Sequence, residues 1–353
     1  MEARGLAIPQ TAAGWKACRM AQAVTEAPVR AAIERESIQA APLCNMPDSA
    51  TAMPRKTLVV NADDFGRSAA VNHAIALAHR EGILTSTSLM VSGDAAEQAV
   101  ALARQMPRLA VGLHLTLADG PAILPVREIP HLADVDGRFR ASPARAGLTY
   151  FFSRSARREL AKEIRAQFEQ FGRTGLELSH VDGHCHLHLH PVVFDLLLPL
   201  AEKYGARAVR IVQEDVSLSL AHERKGVLRK VMWAAQFALL RQRARRRLNK
   251  KRWPIVERTI GLMQTGNMTE AYVLDALTHL PDGVNEMYFH PSLAGQSDRF
   301  GPGPMDLATL LSPTVRSAVE AREIRLSTFP QIALEQRATF FWQPDSVLLG
   351  CRE

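Results

Sequence analysis

Several common classes of protein depend on features that this sequence has little of. Its 353 residues include four cysteines, Cys18, Cys44, Cys185 and Cys351, scattered with no paired spacing. That speaks against a disulfide scaffold and a zinc ribbon, and makes a reducing cytosol the simplest compartment. No stretch reaches the roughly 18 continuous apolar residues of a membrane span. Arg4, Lys16 and Arg19 are not followed by a continuous apolar core, so the N-terminus does not read as a secretory signal. No heptad seam marks a coiled coil.

Acidic residues are missing from one region in particular. From Arg224 to Arg252 there are 12 Lys or Arg and no Asp or Glu. Without them the chain has 31 basic and 36 acidic residues, a net of −5 in place of +7. The basic character is therefore local, and a local cationic stripe suits a surface that meets anions. A block containing Trp233 and Phe237 precedes the densest cations, Arg241, Arg245, Arg246, Arg247, Lys250, Lys251 and Arg252. A solvated helix face and an interfacial segment on anionic lipid are the two leading readings. Nucleic acid comes third, because no recognised binding motif accompanies the charge.

What remains is long enough and apolar enough, at 47% hydrophobic residues, to bury a large core. Residues 1–53 show no core strand, and the expectation is an extension outside the fold, disordered or belonging to an over-long start. Strands are expected at 57–62, 84–91, 109–117, 176–182, 207–212, 285–289 and 324–329. Helices are expected at 68–81, 95–105, 157–171, 192–204, 269–280 and 306–321. Residues 118–150 read as a long loop, 215–265 as a basic amphipathic insertion and 333–353 as a tail. Strands alternating with helices imply a mainly parallel sheet covered by helices. About seven such units across residues 54–332 favour an α/β fold of the distorted (β/α) barrel type over a doubly wound sheet.

Barrels place their chemistry at the carboxyl ends of strands. The apolar run Leu58-Val59-Val60 leads into Asn61-Ala62-Asp63-Asp64-Phe65-Gly66, so two carboxylates close the first strand. A helix cap would also use an Asp there. His114 is polar within an apolar strand, and His290 follows another. Between them lie His180, Asp182, His184, His186, His188 and His190, all even-numbered, which on an extended segment would share one face. Six such groups on one face cannot all be core, so the cluster is expected to supply at least one metal ligand. One Asp with two His leaves open positions on a metal that activates water. A neighbouring carboxylate could then act as base and a His as acid, which describes hydrolysis of an amide or an ester.

These pieces resemble the YdjC-like carbohydrate deacetylase family. The matching segments are Asn61-Ala-Asp-Asp-Phe-Gly66, Gly82-Ile-Leu-Thr-Ser-Thr-Ser88, Val111-Gly-Leu-His-Leu-Thr116, His180-Val-Asp-Gly-His-Cys-His-Leu-His188 and Met287-Tyr-Phe-His-Pro291, in the family's order. Leu148-Thr-Tyr-Phe-Phe152 before Arg157-Arg158, and Gly261-Leu-Met-Gln-Thr-Gly-Asn-Met-Thr269, resemble the branch associated with hopanoid biosynthesis. The resemblance implies a polysaccharide-deacetylase-like barrel and a divalent metal, Mg²⁺ by family habit, with Zn²⁺ suited by ligand softness. It implies Asp64, His114 and His184 as ligands, Asp63 as base and His290 as acid. Asn61, Asp182, His186, His188 and Arg210 would contact substrate or stand behind the ligands.

The expected substrate is an acetamido sugar, an N-acetylglucosaminyl hopanoid in that branch, met by a cytoplasmic enzyme peripheral to the inner face of the membrane. The alternatives are soluble chito-oligosaccharides and, from another class, a non-catalytic metal-dependent lipid- or nucleic-acid-binding protein. A pure binding module would not need Asp63 beside Asp64. No specific nucleic acid is expected. Self-association stays open, since no interface can be read from the sequence.

Overall fold

The computed structural model describes residues 56–214, 216–251, 253, 256–295 and 301–341. The expected extension at 1–53, and residues 342–353 of the expected tail, lie outside the described residues.

The first strand β1 (Lys56–Phe65) is an inner strand of a single curled sheet. Its Leu58, Val59 and Val60 have no exposed surface. Burial on both faces is what an all-apolar strand needs, at about 1.5–3 kcal/mol for each large side chain. β1 is followed by α1 (Ala69–Glu81), β2 (Ser86–Leu89), α2 (Ala96–Arg104) and β3 (Ala110–Leu115). Next come α3 (Pro143–Phe152), α4 (Arg154–Arg173), β4 (His180–Gly183), a 3-10 segment (His184–Leu189), α5 (Pro191–Lys203) and β5 (Ala208–Val209). The insertion supplies α6 (Val216–His222) and α7 (Val227–Lys251), then β6 (Arg258–Ile260). The chain continues through α8 (Glu270–Thr278), β7 (Gly283–Phe289), α9 (Pro304–Leu311), α10 (Pro313–Ala321), β8 (Arg325–Leu326) and α11 (Phe329–Phe341).

The strands run parallel in the order β5-β4-β3-β2-β1-β7-β6, with β8 on the lower part of β1. An isolated antiparallel bridge, Gln213 to Thr259, ties the stretch after β5 to β6, so the two edges of the sheet meet. The expected α/β barrel of about seven parallel strands is the observed architecture, with seven strands along the path and the short β8 beside β1. Gly112 of β3 shows how tightly the strands are filled, because a Cβ there would lie 2.4 Å from the His180 ring on β4. Among the described residues, no helix is long and apolar enough to cross a membrane.

Several expectations are corrected. The loop expected at 118–150 contains α3, which Ser142 caps by accepting from the Arg145 amide, with Pro143 in the first turn. The helix expected at 306–321 is broken between α9 and α10, where Ser312 caps the second helix ahead of Pro313. The insertion at 215–265 ends in a strand of the sheet, β6. Phe329, expected to end a strand, opens α11, which runs into the expected tail. The even-numbered histidines do not share a face. Cys185 and His186 take left-handed backbone angles (φ 54° and 55°), and this turns the extended segment into a tight coil.

Candidate active site

The paired carboxylates are made usable by a fault in the β1 ladder. Neighbouring strand side chains point to opposite faces. Here the β1–β2 register shifts between Ala62 and Phe65, and Asp64 adopts φ 66°. Both carboxylates consequently line one cleft at the strand's carboxyl end. Gly66, at φ 95°, completes the turn and donates its amide to Asn72 Oδ1 at 2.7 Å. Ser68 then caps α1. The capping role that an Asp could have filled belongs to Ser68.

Asp64, His114 and His184 converge from β1, β3 and the coil after β4. One ligand atom from each lies within 4.8 Å of the others. His184 Nδ1 is 3.0 Å from Asp64 Oδ1, and His114 Nε2 is 3.3 Å from the same oxygen. His114 Nδ1 donates to Asp182 Oδ1 at 2.8 Å, while its buried Nε2 has no hydrogen-bond partner. A histidine held from behind by a carboxylate, with its other nitrogen aimed at further donors, is the arrangement that metal-binding histidines use. The residues present therefore fit a divalent cation. Arg67 reaches Asp64 Oδ2 at 3.0 Å.

The electrostatics are those of a tight acid–imidazole cluster. Burial disfavours charge on Asp64, yet the charge of His184, its hydrogen bond and the close approach of the His114 imidazole hold the carboxyl well below the usual range. Burial also works against charge on His114, but Asp182 and Asp64 outweigh it and push the imidazole up to about 9. His184 is likewise raised, by Asp64 and Asp119 against the opposing effect of burial. Without a metal the cluster therefore holds protons where a cation would sit.

Asp63 belongs to a second network, organised by Arg210. This arginine is fully buried just past β5. Its Nη1 and Nη2 reach the two oxygens of Asp63 at 2.7 and 2.8 Å. Nη1 also meets Asp182 Oδ2 at 2.9 Å, and Nε donates to Glu286 Oε1 at 2.8 Å. Its guanidinium lies 4.6 Å from the centre of the Tyr288 ring. Asn61 donates to Asp63 Oδ1 and to Ser88 Oγ, both at 2.8 Å, and Ser88 donates to Asp182 Oδ2 at 2.7 Å. A carboxylate offers about four acceptor positions. Asp63 Oδ1 has two occupied and Oδ2 one, and Oδ2 is the oxygen 4.0 Å from His290 Nε2. The backbone amide of His290 is held by Asp306 at 2.8 Å.

The remaining expected residues separate by depth. Asn61, Asp182, His188 and Arg210 are completely buried. They stand behind the site and do not line the cleft. His188 Nε2 donates to the Arg210 carbonyl at 3.1 Å. His186 lines the cleft, its Nε2 2.9 Å from the Tyr288 hydroxyl. Asp119, half-exposed on the cleft wall with an oxygen 3.9 Å from His184 Nε2, was not among the expected site residues. Arg67, Ser88, Glu286, Tyr288 and Asp306 were not either. Asp119 follows the apolar end of the β3 segment, the same cue that marked Asp63, and Ser88 ends one of the matching family segments, whereas Glu286 gives no sequence signal.

The cleft holds about 1230 Å³. Its floor is the carboxylate and histidine cluster, and its walls are largely apolar. Leu148, Phe151 and Phe152 of α3 form one part, and Trp233, Phe237 and Leu240 of α7 another. Trp233 and Phe237, expected at a membrane surface, are half-buried and line the cleft. The cations also sort unequally. Arg247 joins Arg243 on Asp195, Arg245 reaches Gln213, and Arg241 is half-buried. Arg246 and Lys250 are exposed. The side chain of Lys251, and Arg252, lie outside the described residues.

The fold and site together define a βα-barrel protein with an Asp/His₂ candidate metal centre beside a second carboxylate. Residues 57–321 match the model of the YdjC-like protein family, and the chain belongs to that family. A carbohydrate deacetylase of Brevibacillus brevis is 44% identical over 147 residues, covering 42% of this chain and 56% of that protein. A chitooligosaccharide deacetylase of Enterobacter sp. is 36% identical over 176 residues, covering 48% of this chain and 67% of the relative. The chain thus spans little more than half the length of the curated relatives it matches. The crystal structure of an Enterococcus faecalis protein named for cellobiose-phosphate cleavage superposes with a TM-score of 0.61 at 24% identity, covering 79% of this chain and 99% of that one. At that identity the likeness shows the fold.

Proposed function

We propose that the protein is a divalent-metal-dependent N-deacetylase that hydrolyses the acetamido group of an N-acetylglucosaminyl unit carried on a lipid, a glycosylated hopanoid being the specific candidate. The observation that carries this reading is the placement of an Asp/His₂ cluster and a separate carboxylate on the floor of a large apolar cleft. The names of its relatives support the sugar and the reaction. The apolar walls support the lipid. Pockets for small ligands usually hold roughly 300–1,000 Å³, and this cleft exceeds that range.

Asp64, His114 and His184 would hold the metal, Mg²⁺ by family resemblance, although the two imidazoles also suit Zn²⁺. When bound, it supplies Lewis-acid polarisation and a lowered pKa for water. Asp63 takes the proton of the attacking water through Oδ2, the oxygen with an acceptor position to spare. Arg210 and Asn61 fix the plane of that carboxylate. His290, across from Oδ2, gives a proton to the departing sugar nitrogen, so water and amide become acetate and free amine. The working place would be the cytoplasm, at the inner face of the membrane.

The test is acetate release from an N-acetylglucosaminyl lipid and from N,N′-diacetylchitobiose (chitobiose below), by metal-stripped protein and after adding Mg²⁺ or Zn²⁺. Metal should restore release, with the lipid the better substrate. Asp63→Asn should lower kcat about 10²–10⁴-fold, the range for losing a general base. Acetate from neither substrate would remove the enzyme reading. Chitobiose as the better substrate would favour the soluble-oligosaccharide reading.

A further inference from the structure

Among the described residues, twelve large apolar side chains stand exposed, three on α3 and five on α7. These are the two helices that supply most of the apolar walls of the cleft. Monomeric proteins rarely collect exposed apolar surface in this way without a use for it.

On α7 the pattern is regular. Leu228, Met232, Ala235, Leu239, Gln242, Arg246 and Lys250 follow one another at spacings of three or four, and all are exposed. At 3.6 residues per turn they form one ridge. The opposite side, with Lys230, Ala244 and Leu248, is buried. The ridge is apolar over its first half and cationic at its end, and α7 contains no acidic residue. Across the cleft, Phe152 of α3 is 75% exposed, against 74% for Leu228.

We infer that the exposed faces of α3 and α7 are a docking surface for an anionic lipid bilayer, with the cleft opening between them. An apolar face beside cations, with no acids on the helix, matches the acyl boundary and the headgroups of such a bilayer. A second protein would need opposing carboxylates close to the cationic end alone, whereas a bilayer meets both halves of the ridge. The surface gives a lipid-linked sugar a route to the cleft without complete extraction of its lipid. The inference rests on the reading of the substrate given above only for that purpose, and its test does not use that substrate.

The full chain is mixed with phosphatidylcholine vesicles with or without phosphatidylglycerol, at low and high salt, and bound protein is measured by flotation. Leu228→Gln/Met232→Gln and Arg246→Gln/Lys250→Gln are compared with wild type. None of these four side chains lines the cleft. Wild type should bind the anionic vesicles, and each pair should weaken binding on the order of tenfold or more. The arginine–lysine pair should also lose the preference for phosphatidylglycerol and the salt dependence. Both variants should keep their thermal midpoints and any acetate release from chitobiose.

Vesicle binding by wild type that neither pair weakens, or no binding at all, would overturn the proposal. So would a wild-type mass of two chains that Leu228→Gln/Met232→Gln reduces to one, because the face would then join copies of this chain. Vesicle binding that the variants lose, in a protein that releases no acetate, would uphold the docking surface and remove the deacetylase reading.

Discussion

The floor of the barrel and helix α7 treat their charged residues in opposite ways. On the floor, the charges are buried and answered. Arg210 spends its donors on Asp63, Asp182 and Glu286, and Asp182 also receives His114 and Ser88. On α7, Lys230 is buried against Ser219 and Glu223, and Arg243 and Arg247 share Asp195, while Arg246 and Lys250 face outward at the cationic end of the ridge. A buried charge has to be paired, because desolvation costs several kcal/mol per ion. A surface cation is under no such demand. Pairing on the floor therefore reports how the site is held, and exposure on α7 reports what remains available to meet a partner.

The sharpest way to break the comparison is at Arg210. Arg210→Leu leaves three carboxylates without their common partner in the interior. The expected loss is about 3–5 kcal/mol of stability, the cost of breaking a buried pair, read from urea unfolding. Arg210→Lys keeps the charge but cannot span Asp63 with two donors, so stability should recover in part while kcat stays low. If Arg210→Leu unfolded like wild type, the floor would not be the interdependent network described.

A second way is pH. In the metal-free protein His114 is raised from 6.5 to about 9 and His184 is raised in the same direction. A raised histidine contributes stability fully below its unfolded value, and that contribution is lost as pH rises through the folded one. The thermal midpoint of metal-free protein should therefore fall between about pH 6.5 and 9. Divalent-metal affinity, measured by calorimetry, should rise over the same window, because binding displaces those protons. Metal affinity that did not change with pH would contradict the assignment of these imidazoles.

The smallest effect is expected on the cleft wall. Phe237→Ser should lower kcat/KM for the lipid-linked sugar at least about tenfold, since even one methylene lost from an apolar pocket costs about 1–3 kcal/mol. Chitobiose turnover should barely change. An equal loss on both substrates would make Phe237 a support for the fold and not a specificity contact.

How much of this was legible in the sequence differs along the same lines. The β1 strand and its two carboxylates, His114 on β3, and the clusters after β4 and β7 were readable, because an apolar run ending in polar groups is a local signal. The sheet class followed from the strand–helix alternation. The face-sharing of the even-numbered histidines was not readable, since it failed on two left-handed residues, Cys185 and His186, which composition does not mark. α3 was missed although Ser142-Pro143 announced it, because the surrounding loop had no periodicity. The single helix expected over 306–321 overlooked the same Ser–Pro cue at Ser312-Pro313. The role of Arg210 could not be seen locally. Its partners come from β1, β4 and β7, and only the closed sheet brings them together.

The most direct test of the account is metal content set beside turnover in three proteins: wild type, His114→Ala and Asp63→Asn. The account predicts one equivalent of divalent metal in wild type and in Asp63→Asn, and little in His114→Ala. It predicts full acetate release only in wild type. Metal retained by His114→Ala would contradict the ligand set, and metal lost from Asp63→Asn would contradict the division of the two adjacent carboxylates into a ligand and a base.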